Sequence, residues 1–170
     1  MEYVPGPDIL CRSRNLSLEE KGRKLIDLCH ALEYIHSRNI VHLDLKPSNL
    51  LLDGKDAVKL LDFGLAQSGT CSPLKISGTP FYISPEVISG QSPDGRADLY
   101  SLGVLMYQIF TGILPFEAPS LKELVKKHLY QPPQPPQIYN AALPERLQSL
   151  ILKLLSKDPN ARPTGAGEVE

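Results

Sequence analysis

Eighteen consecutive residues without a charged side chain, 99–116, constrain the fold of this chain more than any other feature. A helix needs about 20 apolar residues to span a membrane, and this run is close to that length. However, it contains Ser101, Gln108 and Thr111, and its uninterrupted helical part ends near Thr111. A helix that is apolar on all sides but too short to span must be buried by protein. The sequence therefore predicts a helix at the centre of a soluble core.

The composition of the 170 residues, with a net charge of −1 and 42% hydrophobic residues, narrows the class of protein. The length predicts one domain or a large part of a bigger one, and the apolar fraction excludes disorder over the whole chain. The balanced charge gives no long-range attraction to nucleic acid or an anionic membrane. Cys11, Cys29 and Cys71 form no C-x-x-C pair, which argues against a disulfide framework or a zinc site. Because no signal peptide is visible, we expect a cytoplasmic protein without a membrane segment.

Local patterns around the apolar run predict a mainly α fold with one small β-hairpin. Ser17 and Glu20 form a capping box at the start of an amphipathic helix, 17–37. Asp53-Gly54 is a hairpin signal between two β-like runs. The remaining predictions are strands at 49–52 and 57–61, a long ordered loop over 62–97 with one helical turn at 85–89, helices at 8–14, 120–129 and 147–155, and extended chain at 131–137.

The densest cluster of chemically useful side chains follows the first long predicted helix. Asp44, Lys46 and Asn49 offer a proton acceptor, a cation and a carboxamide oxygen, and their spacing lets them point into one site from a loop. Asp62 comes thirteen residues after Asn49, at the end of the hairpin, and Gly64 permits unusual backbone angles. Two oxygen ligands from different segments suit a Mg²⁺ ion bound mainly by waters and phosphates. The set favours phosphoryl transfer, which demands positioning and charge neutralisation more than covalent chemistry.

These residues lie within motifs of a known family. The segment from His42 to Asn49 matches H-x-D-x-K-x-x-N, and a D-F-G triplet follows at a suitable distance. The chain resembles the eukaryotic-type protein kinases, in particular the Ser/Thr branch and its bacterial-type members. Further similar segments are Met1-Glu-Tyr-Val at the hinge between the two lobes, Ser84-Pro85-Glu86 with Ser for the Ala of A-P-E, Asp98-Leu-Tyr-Ser-Leu-Gly at the central helix, and Arg162 in D-P-N-A-R-P.

The resemblance implies a fold and an activity. Residues 1–170 would form the hinge and C-terminal lobe of a kinase domain, which is mainly α with a small β-hairpin. The activity would be transfer of the ATP γ-phosphoryl group to Ser or Thr hydroxyls of a protein substrate, with Mg²⁺ and without nucleic acid. No Gly-rich loop or strand lysine of an N-terminal lobe is found. We therefore expect that lobe and the end of the last helix to be absent, and this chain alone to be weak or inactive. The alternative is a regulatory, protein-binding C-lobe.

The resemblance also assigns roles to single residues. Asp44 would orient the substrate hydroxyl and accept its proton, Lys46 would neutralise the transferred group, and Asn49 with Asp62 would hold Mg²⁺. For ATP it implies the backbones of Glu2 and Val4 at the adenine, Leu51 beneath it and Asp8 at the ribose. Structural or regulatory roles fall to His42 stacked on Phe63, Gly64, Thr79 near the catalytic loop, Glu86 paired with Arg162, and Asp98 as a helix N-cap that also bonds loop N–H groups.

Three other features lead to expectations that the family motifs do not cover. The histidines outside the motif have no partner pattern, so we expect them at the surface or in packing. The segment Q-P-P-Q-P-P-Q, 131–137, is typical of a polyproline II ligand, but a rigid connection between helices is the preferred interpretation. Leu43 stands where the family often has Arg, which predicts an activity independent of activation-loop phosphorylation. The histidines are His30, His36 and His128. The candidate phosphorylation sites of the activation loop are Thr70, Ser72 and Ser77.

Overall fold

The computed structural model describes residues 6–63, 67–68 and 80–169. Helices dominate, and two small antiparallel sheets accompany them, with strand orders β1-β4 and β2-β3. The elements are α1 (Ile9–Ser13), α2 (Leu18–His36), β1 (Ile40–Val41), β2 (Leu50–Leu52), β3 (Val58–Leu60), β4 (Gln67–Ser68), α3 (Pro85–Ile88), α4 (Gly95–Thr111), α5 (Leu121–Tyr130) and α6 (Glu145–Leu154), with 3₁₀ turns at Pro47–Asn49, Pro136–Ile138, Pro159–Ala161 and Ala166–Glu168.

Helix α4 is the centre of the core, as the uncharged run predicts. Thirteen of its seventeen residues are buried, and α2, α6 and β1 pack around it. The approach of α6 is close, because a Cβ on Gly103 would lie 2.7 Å from the Cβ of Leu154. The helix ends at Gly112, whose φ of 81° is accessible to glycine at little cost. Within the described part of the chain, no helix has the length and apolarity to cross a membrane.

Helix α2 confirms the capping-box prediction at its start. The Ser17 hydroxyl accepts the Glu20 N–H at 3.2 Å, and the Glu20 carboxylate accepts the Ser17 N–H at 2.7 Å. The apolar face packs inward because its residues recur at helical spacing. This places the C-terminal end of α2 beside β1, which leads into the loop 42–49. The buried residues of that face are Leu25, Leu28, Cys29, Leu32 and Ile35.

The predicted hairpin is present, but its strands are shorter and its turn is longer than the sequence suggested. Strands β2 and β3 pair Leu50 with Leu60 and Leu52 with Val58. The Asp53 carboxylate accepts the N–H groups of Lys55 and Ala57, which stabilises a five-residue connection. The pairing of β1 with β4 was not predicted, since two-residue strands carry no periodic pattern.

The segment after α5 is extended only in its first part. Residues 131–135 have no regular hydrogen-bonded structure, whereas Pro136–Ile138 forms a 3₁₀ turn. The prediction of extended chain up to residue 137 is therefore wrong at its end. The physical reason is that a proline fits the first position of a helical turn, where its missing N–H has no partner to lose.

A buried polar cluster joins α5 to α4 and to the segment after α6. His128 is fully buried, and its Nδ1 lies 3.0 Å from the Tyr100 hydroxyl. The Lys157 ammonium donates to the same hydroxyl at 3.3 Å and lies 4.1 Å from the centre of the Phe116 ring. Burial, followed by the charge of Lys157, lowers the pKa of His128 to about 3.

The lowered pKa of His128 predicts that the stability of the folded protein falls in acid. Between pH 6.5 and 3 the unfolded chain binds a proton at this residue that the folded chain does not, so stability falls as the pH falls. The slope approaches roughly 1.4 kcal/mol per pH unit. Urea unfolding from pH 7 to 4 should show this slope in the parent and a flatter one in His128→Gln. The exposed His30→Gln should behave like the parent, and parallel curves for the parent and His128→Gln would contradict the prediction.

The hydroxyl of Ser84, where the related motif has Ala, predicts a stabilising substitution. It is buried without a hydrogen-bond partner among the described residues. A buried hydroxyl that lacks a partner costs about 1–3 kcal/mol. Ser84→Ala should therefore raise the free energy of unfolding by roughly 1 kcal/mol. Ser89→Ala is the control, because the Ser89 hydroxyl donates to the Pro85 carbonyl at 2.9 Å and its loss should destabilise. A destabilised Ser84→Ala protein would refute the prediction.

Candidate active site

The loop between β1 and β2 brings three predicted site residues together. The Lys46 ammonium lies 2.6 Å from Oδ2 of Asp44. The Asn49 side-chain amide donates to the Asp44 carbonyl at 2.8 Å and to Asp44 Oδ2 at 3.0 Å. Asn49 is buried at the end of the Pro47–Asn49 turn, whereas the side chains of Asp44 and Lys46 are 24% and 39% exposed. The loop therefore presents a carboxylate and a cation to solvent from a packed base.

His42 connects this loop to the segment that carries Asp62. Its Nδ1 accepts the Asp44 N–H at 3.3 Å, so the ring proton resides on Nε2, which donates to the Leu61 carbonyl at 3.0 Å. The Leu61 N–H in turn donates to the Asn49 carbonyl at 2.8 Å. Asp62 thus follows a residue that is hydrogen-bonded to both ends of the loop 42–49.

Asp62 and Phe63 complete the described part of the predicted D-F-G triplet. Asp62 has a φ of 61°, an unusual value for a residue other than glycine, and its side chain is exposed. The Phe63 ring meets the His42 ring edge to face, with centroids 5.1 Å apart. Carboxylate and carboxamide oxygens are the donors that Mg²⁺ prefers, so the chemistry of Asp62 and Asn49 fits this ion. Among the described residues, no group of three or more His, Cys, Asp or Glu side chains could hold a metal.

Asp98 anchors the loop 42–49 from the first turn of α4. Its carboxylate is fully buried and accepts the N–H groups of His42 and Leu43, each at 2.8 Å. The prediction that Asp98 bonds loop N–H groups is confirmed. The prediction that it is the helix N-cap is wrong, because Asp94 holds that position and accepts the Arg96 N–H at 2.9 Å.

His36 is the functional neighbour that sequence reasoning missed. Its Nε2 lies 2.8 Å from Asp98 Oδ2, so the C-terminal residue of α2 shares the buried carboxylate with the loop. The expectation of a surface or packing role is therefore incomplete for His36. The two residues are 62 positions apart, and no local pattern links them.

The predicted nucleotide-side residues are only partly described. Asp8 and Leu51 form a backbone bridge, so they are neighbours. Asp8 also caps α1, since its Oδ1 accepts the Cys11 N–H at 2.8 Å. The other predictions, for Glu2, Val4, Gly64, Thr79 and the loop sites Thr70, Ser72 and Ser77, lie outside the described residues.

The predicted ion pair between Glu86 and Arg162 is present and bidentate. The two guanidinium nitrogens lie 2.7 and 2.9 Å from the two carboxylate oxygens. The Arg162 side chain also donates to the carbonyls of Arg96, Ser156 and Lys157. Both partners are buried. The pair therefore connects α3, the start of α4 and the segment after α6, far from the Asp44 carboxylate in sequence.

Comparison with known proteins identifies the class that this fold and site define. The family described as Protein kinase domain matches residues 1–169. The chain belongs to the protein kinase family, and its fold is the protein kinase fold.

Similar proteins of known name include bacterial serine/threonine kinases. The chain is 39% identical over 98% of its length to Serine/threonine-protein kinase pkn3 of Myxococcus xanthus. It is 34% identical over 99% of its length to Serine/threonine-protein kinase PknB of Mycobacterium tuberculosis, and 37% identical over 99% to Probable serine/threonine-protein kinase CPE1738 of Clostridium perfringens. It spans 34%, 28% and 26% of the lengths of these relatives. The resemblance to the bacterial type of Ser/Thr kinase is thereby confirmed.

The burial of Asp98 predicts a stability difference between two loop-associated carboxylates. Asp98→Ala leaves buried N–H groups of His42 and Leu43 without an acceptor, at roughly 1–3 kcal/mol for each. Asp44→Ala should change stability little or raise it, because active-site carboxylates often oppose stability. Asp94→Ala, the loss of a helix cap, should cost about 1 kcal/mol. We expect the urea midpoint to be lowest for Asp98→Ala, higher for Asp94→Ala and highest for Asp44→Ala. A reversed order would disprove the anchoring role of Asp98.

Proposed function

We propose that the described residues form the C-terminal lobe of a protein serine/threonine kinase, which transfers the γ-phosphoryl group of ATP to a Ser or Thr hydroxyl of a protein. The observation that carries the proposal is the convergence of Asp44, Lys46 and Asn49 in one loop. A proton acceptor with a cation and a carboxamide both within hydrogen-bond distance of it is suited to phosphoryl transfer. The names of the bacterial relatives support the same activity.

The hydrogen bonds suggest how the two oxygens of Asp44 divide their work. Oδ2 receives the Lys46 ammonium and the Asn49 amide. Oδ1 is then the oxygen that accepts the proton of the substrate hydroxyl. Lys46, held at this carboxylate and partly exposed, neutralises the charge of the transferred phosphoryl group. The loop thus orients the hydroxyl with one residue and balances charge with its neighbour.

Nucleotide and metal contacts follow from the same arrangement. The Asn49 amide nitrogen faces Asp44, so its carboxamide oxygen is the atom left to bind Mg²⁺ together with the Asp62 carboxylate. The bound ion would neutralise charge on the ATP phosphates. Leu51 would support the adenine, with the backbones of Glu2 and Val4 beside it. Because Oδ1 of Asp8 caps α1, its other oxygen would reach the ribose.

The experiment uses the full product of the gene that encodes this chain. With ATP and a peptide library that offers Ser or Thr acceptors, Asp44→Asn should lower kcat by about 10²- to 10⁴-fold, because the proton acceptor is lost. Asp27→Asn, an exposed carboxylate without a hydrogen-bond partner among the described residues, is the matched control and should keep parental activity.

Three results would contradict the proposal. If Asp44→Asn had the same kcat as the parent, Asp44 would take no part in catalysis. Transfer to a Tyr-only library but not to Ser or Thr would overturn the acceptor class. A parent protein that is folded, binds partner proteins and transfers no phosphate would favour the second candidate, a regulatory, protein-binding C-lobe.

A further inference from the structure

The connection after α5, residues 131–137, shows a regular exposure pattern that the kinase activity does not explain. Pro133 is half-buried and Pro136 is buried against the body of the protein. Pro132 and Pro135 are exposed, as are the three glutamines of the segment. Exposure therefore repeats every three residues. A polyproline II helix has three residues per turn, so this is the pattern of such a helix lying on a surface with one face packed.

The backbone angles agree with this conformation at both ends of the extended part. Gln131 has φ −87° and ψ 125°, and Pro135 has φ −58° and ψ 128°. Both lie near the polyproline II values of about −75° and +145°. The 3₁₀ turn that begins at Pro136 then ends the extended part. Between these two residues, a proline ring fixes φ and a following proline restricts ψ at most positions, which favours a preformed polyproline II helix of nearly two turns over 131–135.

A rigid connection between helices accounts for only half of this segment. Packing requires prolines at 133 and 136, the positions that face the protein. It does not require prolines at 132 and 135, which face solvent and follow a glutamine each. The neighbouring residues extend the exposed apolar surface, since Tyr130 is 77% and Ile138 64% exposed. The exposed face therefore reads Gln-Pro-x-Gln-Pro, a P-x-x-P ligand in which Pro133, the first of the two middle residues, packs on the protein.

We propose that residues 131–135 bind the aromatic-lined groove of an SH3-type domain in a partner protein. Such grooves take P-x-x-P segments in the preformed polyproline II conformation. The side that a groove would cover is the one that Pro132 and Pro135 expose, while Pro133 already packs on the kinase body. The folded protein holds the helix in place, so little conformational entropy is lost on binding. The segment carries no charge, so contact depends on the proline rings.

The test uses the full gene product and an array of purified SH3-type domains encoded in the same genome, with WW-type domains alongside. At least one SH3-type domain should bind the parent. The Pro132→Ala/Pro135→Ala variant should bind roughly tenfold or more weakly, because two proline rings no longer contact the groove. Pro119→Ala and Pro144→Ala, exposed prolines elsewhere on the surface, should bind like the parent.

Kinase activity and the urea midpoint serve as folding controls for each variant and should match the parent. Binding that survives the double substitution would overturn the proposal. An array in which no SH3-type domain binds, or in which only WW-type domains bind, would overturn the assignment of the partner.

Discussion

The buried carboxylate of Asp98 is the interaction on which the candidate site depends. An ionised carboxylate inside an apolar core is costly unless donors surround it. Here the donors are the N–H groups of His42 and Leu43, with His36 Nε2 at the same distance of 2.8 Å. One carboxylate in α4 thereby joins the C-terminal residue of α2 to the start of the loop 42–49. It also holds Leu43 at a φ of 65°, a conformation that a leucine rarely adopts without such support.

Burial separates the residues that position from the residues that would react. His42 and Asn49 are buried, and their polar side-chain atoms form hydrogen bonds with Leu61 and with the loop. Asp44 and Lys46 are partly exposed, at the edge that a substrate can reach. This division follows from physical chemistry, because a group that exchanges protons with a substrate must meet it, while precise placement requires a rigid frame.

The bidentate pair of Glu86 and Arg162 is a second place, away from the loop, where buried polar groups hold segments together. It joins segments 76 residues apart, and the remaining N–H groups of Arg162 find carbonyls. A buried ion pair contributes little net stability compared with apolar packing, but the loss of one partner is costly. The pair therefore defines the position of α3 relative to α4 more than it strengthens the fold.

Apart from the contacts that the family resemblance implied, such as the Glu86–Arg162 pair, the sequence by itself determined what depends on neighbouring residues, and the tertiary structure decided what depends on distant ones. The capping box of Ser17, the apolar run of α4 and the spacing of Asp44, Lys46 and Asn49 are local, and each is present in the structure. The sharing of Asp98 by His36, the pairing of β1 with β4 and the burial of His128 could not be predicted, because their partners lie 26 to 62 residues away. Even the cap of α4 was misassigned, since Asp94 and Asp98 are both acidic residues near its start. Only packing shows which of them points inward.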